Sequence, residues 1–185
     1  MELEDNFLIE ETRKGDKDAF GKLVDKYKIP VYNLAYRMIG DPTESEDVAQ
    51  ETFLRAYKNL NRFQTEFKFS TWLFQICINI CKNLNKKKRR LKIISLFLKS
   101  NTGNTLDERM DESVPQVGKL LEKKEEAQLL KKAVGELPHR YQRVIVLKYY
   151  EELSYKEISQ ILTVSIPTVK TYLYRAREIL RDKLK

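Results

Sequence analysis

Cysteine, histidine and glycine are all scarce in this chain of 185 residues, and each scarcity closes off a class of function. Two cysteines cannot supply a disulfide framework, and Cys77 and Cys81 stand four apart, not in Cys-x-x-Cys spacing. With His139 as the one histidine, a four-ligand zinc site would have to recruit carboxylates, so no metal is expected. On a helix the two thiols share a face, which core packing explains. Glycine is too thinly spread to form a phosphate-cradling loop. No nucleophile elbow or histidine-centred acid/base set is present either, so no catalytic residue and no cofactor are expected. No apolar run approaches the roughly 18 residues of a membrane span. The acidic start "MELEDNFLIEE" has neither the basic nor the apolar segment of a signal peptide. The chain reads as cytoplasmic, with no membrane insertion of its own.

Charge is plentiful. Lys and Arg outnumber Asp and Glu by 35 to 27, and a formal net charge of +8 favours a polyanionic partner such as nucleic acid. A charged fraction of 34% beside 42% hydrophobic residues suits small units with much surface for their volume. Apolar residues recur at helical spacing along most of the chain. Gly15 stops a first helix and Asp16 caps a second, which carries Ala19, Phe20, Leu23, Val24 and Tyr27. Pro30 is expected to open another helix, with Val31, Leu34, Ala35, Met38 and Ile39, ending at Gly40. "DPTE" then places Asp41 as cap, Pro42 in the first turn and Glu44 three residues beyond the cap. The following run holds Val48, Ala49, Thr52, Phe53, Ala56, Tyr57 and Leu60.

After Asn61 the period breaks, and "RFQTEFKFSTW" sets Phe63, Phe67, Phe69 and Trp72 among polar residues. Phe63 and Trp72 are expected to be buried, Phe67 and Phe69 exposed. Ser70 can cap a long helix whose stripe Leu73, Ile76, Cys77, Ile80 and Leu84 packs. Gln75, Asn79, Lys82, Lys86 and Arg89 lie on the opposite arc. The pattern dissolves over 94–118, which reads as an extended linker. Periodicity returns from Leu120 to Leu137, and after Pro138 a helix is expected over about Tyr141–Glu151.

The C-terminal stretch is the most informative. "LSYKEISQIL" carries Ser154 and Glu157 in capping-box spacing, and Ser165 can cap the next helix, with Pro167 in its first turn. On that last helix Val169, Leu173, Ala176 and Leu180 fall within one narrow arc that must bury. Thr168, Lys170, Thr171, Tyr174 and Arg175 are then left outward near the leading end. Two short capped helices with so tight a connection make a helix-turn-helix, whose second helix enters the major groove.

"LSYKEISQILTVSIPTVKTYLYRAR" resembles the C-terminal helix-turn-helix of bacterial sigma factors. "ESEDVAQETFLRAYKNLNRF" followed by "FSTWLFQICINICKN" resembles the N-terminal domain of the extracytoplasmic-function group of the sigma-70 family. The resemblance implies an all-α fold of two small helical domains joined by a flexible linker, the second ending in the helix-turn-helix. Residues 1–93 would be sigma domain two, 94–118 the linker and 119–185 sigma domain four. It further implies a transcription initiation factor that binds core RNA polymerase, at the clamp of the largest subunit and at the flap, and directs it to promoter DNA.

The same resemblance distributes roles. Glu46, Asp47, Gln50 and Glu51 would dock on the clamp. Phe67, Lys68 and Phe69, with Gln75, Asn79, Lys82, Lys86 and Arg89, would hold the melted -10 box, where an amide can read a base edge and lysines mainly hold phosphate. Thr168, Lys170, Thr171, Tyr174 and Arg175 would read the -35 duplex. An anti-sigma factor is implied as a further partner. The chain departs from the family pattern at Thr163, Pro167 and Tyr172. A response-regulator activator with a similar C-terminal motif would need an α/β receiver in the first hundred residues, and no strand pattern occurs there. A helical RNA-binding protein anchored by "KKKRR" is the other alternative.

Overall fold

The computed structural model describes the backbone over residues 2–100 and 120–184 and the side chains over 4–91 and 128–184. Among the described residues every regular element is a helix. Helix α1 (Glu2–Arg13) ends where Gly15 takes a left-handed φ of 105°, a conformation that costs glycine little. Asp16 then accepts from the amides of Asp18 and Ala19 and starts α2 (Lys17–Ile39).

Helix α2 is continuous, which corrects the expectation that Pro30 begins a new element. Proline inside a helix costs about 3 kcal/mol, because it removes one hydrogen bond and crowds the preceding turn. The buried stripe Phe20, Leu23, Tyr27, Val31, Leu34 and Met38 runs in phase straight through it. Each such side chain fully buried contributes about 1.5–3 kcal/mol, so the stripe outweighs the proline. Gly40, at φ 83°, closes the helix with its amide on the Tyr36 carbonyl. Asp41 accepts from the Glu44 amide and caps α3 (Pro42–Lys58), as its sequence suggests.

A single 3-10 turn, Leu60–Arg62, leads into the aromatic segment, after which α4 runs from Phe69 to Ser100. Two boundaries expected from sequence move. Ser70 lies inside the first turn of α4, where the Trp72 amide bonds the Lys68 carbonyl. The helix also continues to Ser100, so the first residues assigned to the linker are helical. The rest of that linker, 101–118, lies outside the described residues. Helices α1 to α4 bury Ile9, Leu23, Leu34, Leu73 and Ile78 among them, and Asp5 of α1 accepts from the Tyr27 hydroxyl of α2 at 2.6 Å. Cys77 and Cys81 are buried free thiols in this core. The hydrogen bond to Cys81 is the main cause raising the Cys77 pKa, and burial adds to it.

The second half comprises α5 (Leu120–Gly135), α6 (His139–Ile145), α7 (Tyr155–Leu162) and α8 (Ile166–Lys183). In place of one helix to Glu151, α6 widens into a π turn over Val146–Tyr150, where the Glu151 amide reaches the Val146 carbonyl. Ser154 and Glu157 form the full capping box of α7, and Ser165 accepts from the Thr168 amide to start α8. Between them Thr163 sits at φ 55°, ψ 48°, a left-handed conformation in which a β-branched side chain crowds its own carbonyl. Thr163→Gly is expected to stabilise the second domain by about 0.5–1 kcal/mol, the relief of strain exceeding glycine's extra entropy when unfolded. Urea unfolding measures it, and a lower midpoint would contradict the strain.

The two halves also touch. Helix α7 lies along α4, the π turn lies against α2, and the buried apolar side chains of both halves form one continuous cluster.

Candidate nucleic-acid interface

Helices α7 and α8 set the geometry of the helix-turn-helix. Ile158 and Ile161 of α7 and Val169, Leu173, Ala176 and Leu180 of α8 are buried, which fixes the rotation of α8 about its axis. The opposite face therefore projects outward. Lys170, Thr171, Tyr174 and Arg175 are exposed there, and Thr168 is half-buried with its hydroxyl 2.8 Å from that of Ser165. Thr171 donates to the Pro167 carbonyl, and Arg175 pairs with Glu178 at 3.2 Å. Tyr172 is turned aside: half-buried, it packs edge-on against Tyr141 with ring centroids 5.7 Å apart. Its presence on α8 is thus accounted for by packing between α6 and α8.

Around the start of α4 the aromatic residues divide differently from expectation. Phe69 is buried at 2% exposure, meeting Tyr27, Phe63 and Trp72 at centroid distances of 5.6, 5.7 and 5.8 Å. This corrects the expectation that it is exposed: it opens α4 and turns inward to join α4 to α2. Phe63 is buried as expected, Trp72 only half so. Phe67 remains exposed, with its ring available. Arg13 of α1 reaches across and donates to the Leu60 and Phe63 carbonyls, holding the segment in place.

Along α4, Asn79, Lys82, Lys86 and Arg89 are exposed on one arc. Gln75, expected on the same open arc, is half-buried under α7, where its amide donates to the Gln160 carbonyl at 3.3 Å. Lys68 likewise reaches across the domains, to Glu157 at 3.1 Å. Burial alone would raise the Glu157 pKa. Hydrogen bonds from Ser154 and Lys68 outweigh it and hold the carboxyl below its ordinary range.

On α3 the acidic residues form a separate surface. Glu46, Asp47 and Gln50 are exposed, and Glu51 is half-buried with its carboxylate on Arg55 Nε at 2.6 Å. Beneath them Val48, Thr52, Phe53 and Ala56 are buried. Asp47 and Glu51 also border a cleft of 300 Å³ between α3 and α4, floored by Val48, Ile80 and Leu84. An acidic rim around an apolar floor is suited to a protein surface carrying basic and apolar side chains.

Sequence reasoning missed the residues that join the halves. Arg37 Nη1 lies 3.2 Å from Glu151 Oε1, and its guanidinium covers the Tyr150 ring at 4.6 Å. Gln142 donates to the Arg37 carbonyl. Arg37 and Glu151 stand 114 positions apart, and no local pattern marks such a pair.

Both halves of the chain are similar to known proteins. Residues 23–91 match the family model for sigma-70 region 2, and residues 127–180 that for sigma-70 region 4. The chain is 39% identical to the ECF RNA polymerase sigma factor SigW of Bacillus subtilis, over 100% of this chain and 99% of the relative. It is 31% identical to the RNA polymerase sigma-H factor of Pseudomonas aeruginosa, over 98% and 94% of the two chains. In fold it is similar to CnrH, solved with the cytosolic domain of CnrY (TM-score 0.68, 23% identity, 97% and 96% covered). It is similar also to RpoE of Bartonella quintana, solved with the anti-sigma factor NepR (TM-score 0.66, 22% identity, 89% and 96% covered). Likeness to sigma factors thus runs the length of the chain, through both helical domains in order, and the chain belongs to the extracytoplasmic-function group of the sigma-70 family of RNA polymerase sigma factors.

Proposed function

We propose that this sigma factor divides promoter recognition and polymerase docking among three surfaces. As a family member it is a transcription initiation factor that binds core RNA polymerase and recognises promoters. The acidic face of Glu46, Asp47, Gln50 and Glu51 docks on the polymerase clamp. The outward face of α8, with Thr168, Lys170, Thr171, Tyr174 and Arg175, reads the -35 duplex. The start of α4 holds the melted -10 strand: Phe67 stacks on an unpaired base, Asn79 reads a base edge, and Lys68, Gln75, Lys82, Lys86 and Arg89 line the strand. The observation that carries this reading is the charge of each face: Glu46 and Asp47 exposed on one face of α3, Lys82, Lys86 and Arg89 exposed on α4, and Lys170, Thr171 and Arg175 exposed on α8.

No catalytic group is required of the chain. A surface that binds the unpaired strand more tightly than the duplex shifts the opening equilibrium by that difference in affinity. Two of the fold relatives were solved with CnrY and with an anti-sigma factor, which supports an anti-sigma partner for this chain. Among the described residues no helix is long and apolar enough to cross a membrane. The reading places the chain with polymerase in the cytoplasm.

The -35 assignment is tested at Arg175. Arg175→Ala is expected to weaken binding to the -35 duplex and to reduce the slope of log affinity against log salt by about one unit, the signature of one lost phosphate contact. Fluorescence anisotropy across a salt series reads both. An unchanged affinity and slope would remove Arg175 from the surface.

A further inference from the structure

We propose that a cavity at the C-terminal end of α2 is a binding site for a small organic carboxylate with an aromatic or branched apolar body. The cavity has a volume of 630 Å³, within the range of about 300–1,000 Å³ that holds small molecules. It shares no residue with the surfaces assigned above to polymerase and promoter DNA, and the proposal does not depend on those assignments.

Its walls come from the last turns of α2, from Asn85 of α4, from α5 and α6, and from Tyr150 of the π turn. Two glycines help to leave it open. A Cβ placed on Gly40 or on Gly135 meets nothing within 4 Å, so at both positions the side chain that is lacking is volume left unfilled. The wall is largely apolar, with Met38 and Val134 buried in it. Leu130 and Tyr150 line the same cavity while remaining 40% and 39% exposed. An apolar body seated there covers both, and taking apolar surface out of water on the two sides of the contact favours binding.

The charge of the lining selects the ligand. None of the described residues that line the cavity is acidic, whereas Arg37 and Lys131 supply two positive charges. Lys131 reaches the Tyr36 hydroxyl at 3.1 Å, with its ammonium 4.6 Å from the centre of that ring, which holds the charge at the wall. An ammonium has three protons to donate, and Tyr36 takes one. Arg37 meets Glu151 through Nη1 at 3.2 Å, one nitrogen of the guanidinium. The end of a helix ordinarily favours cations, because its last carbonyls lack partners. Here those of α2 are taken: that of Tyr36 by the Gly40 amide at 2.8 Å, that of Arg37 by Gln142 Nε2 at 3.1 Å, and that of Met38 by Asn85 Nδ2 at 3.5 Å. Donors are what the cavity has left to offer. A carboxylate fits that surplus, since hydrogen bonds from an ammonium or guanidinium to an ionised acceptor are the strong ones. A phosphate dianion fits it less well, because its second charge is costly to strip of water against a largely apolar wall.

The test uses the full chain and two probes of one shape, 2-naphthoate and the neutral 2-naphthylmethanol, with inorganic phosphate as a third. Calorimetric titration of the wild type is expected to show saturable binding of 2-naphthoate with a Kd below about 1 mM, and about tenfold weaker binding of either other probe. At about ten times Kd the melting midpoint should rise by about 3–5 °C. Lys131→Met removes one charge from an exposed position; it is expected to weaken 2-naphthoate about tenfold and to leave 2-naphthylmethanol unchanged. Gly135→Leu puts a side chain into open space and favours α5 by its better helix propensity. It is expected to abolish binding of 2-naphthoate with the melting midpoint kept or raised. No saturable binding by the wild type overturns the proposal. So does equal affinity for the acid and the alcohol or for phosphate, and so does undiminished binding to Gly135→Leu, which puts the ligand elsewhere. Should that variant fail to fold, Lys131→Met decides alone, an unchanged affinity for 2-naphthoate overturning the site.

Discussion

A chain carrying Asp47→Arg and Glu51→Arg together is expected to lose binding to core polymerase by more than about a hundredfold and to support no promoter-specific transcription. Both carboxylates border the cleft between α3 and α4, and a basic surface docked there would meet two positive charges in place of two negative ones. Like charges set against each other across an interface cost several kcal/mol, and each 1.4 kcal/mol is a factor of ten. The fold should survive. Asp47 is exposed, Glu51 is half-buried, and their α3 neighbours Val48, Thr52, Phe53 and Ala56 remain to pack. The lost Glu51–Arg55 pair spans one helical turn at the surface and is worth about 0.3–0.5 kcal/mol. Copurification with core enzyme, alongside a thermal melt, separates the two effects. Undiminished copurification would remove α3 from the docking surface.

Truncating Leu173 to alanine is expected to destabilise the second domain by about 2–5 kcal/mol and to abolish -35 binding while leaving the first domain folded. Leu173 is 1% exposed, at the centre of the arc by which α8 packs. Its removal leaves a cavity between α8 and its neighbours, and a domain this small has little stability in reserve. The outward residues of α8 are untouched, so lost duplex binding would come from lost orientation of the helix. Hydrogen exchange should show protection falling in α6 to α8 and persisting in α1 to α4. Uniform loss of protection would mean that the halves unfold as one unit.

The helices and their caps were largely legible in the sequence, because cap and period are local. Asp16, Asp41, Ser154 and Ser165 each cap where their spacing suggests, and the arc Val169, Leu173, Ala176 and Leu180 buries as its period requires. Pro30 misled because a local rule was set against a tertiary one: the apolar stripe of α2 stays in phase on both sides of it. Phe69 misled for a related reason. Its polar neighbours suggest exposure, yet the ring lies against Tyr27, Phe63 and Trp72, and Tyr27 comes from a helix far away in sequence. The seam through Arg37, Gln142 and Glu151 was illegible, since a pair matched across two domains leaves no periodic trace. The outward placement of Lys170, Thr171, Tyr174 and Arg175 on α8 follows from a helical period, whereas the contacts of Lys68 and Gln75 with α7 follow only from packing.

Transcription of genomic DNA from its own source by core polymerase, with and without the purified chain, tests the central claim most directly. The account predicts a set of start sites that appear only with the chain and share one -35 sequence and one -10 sequence at constant spacing. Start sites identical to those of core enzyme alone would contradict it.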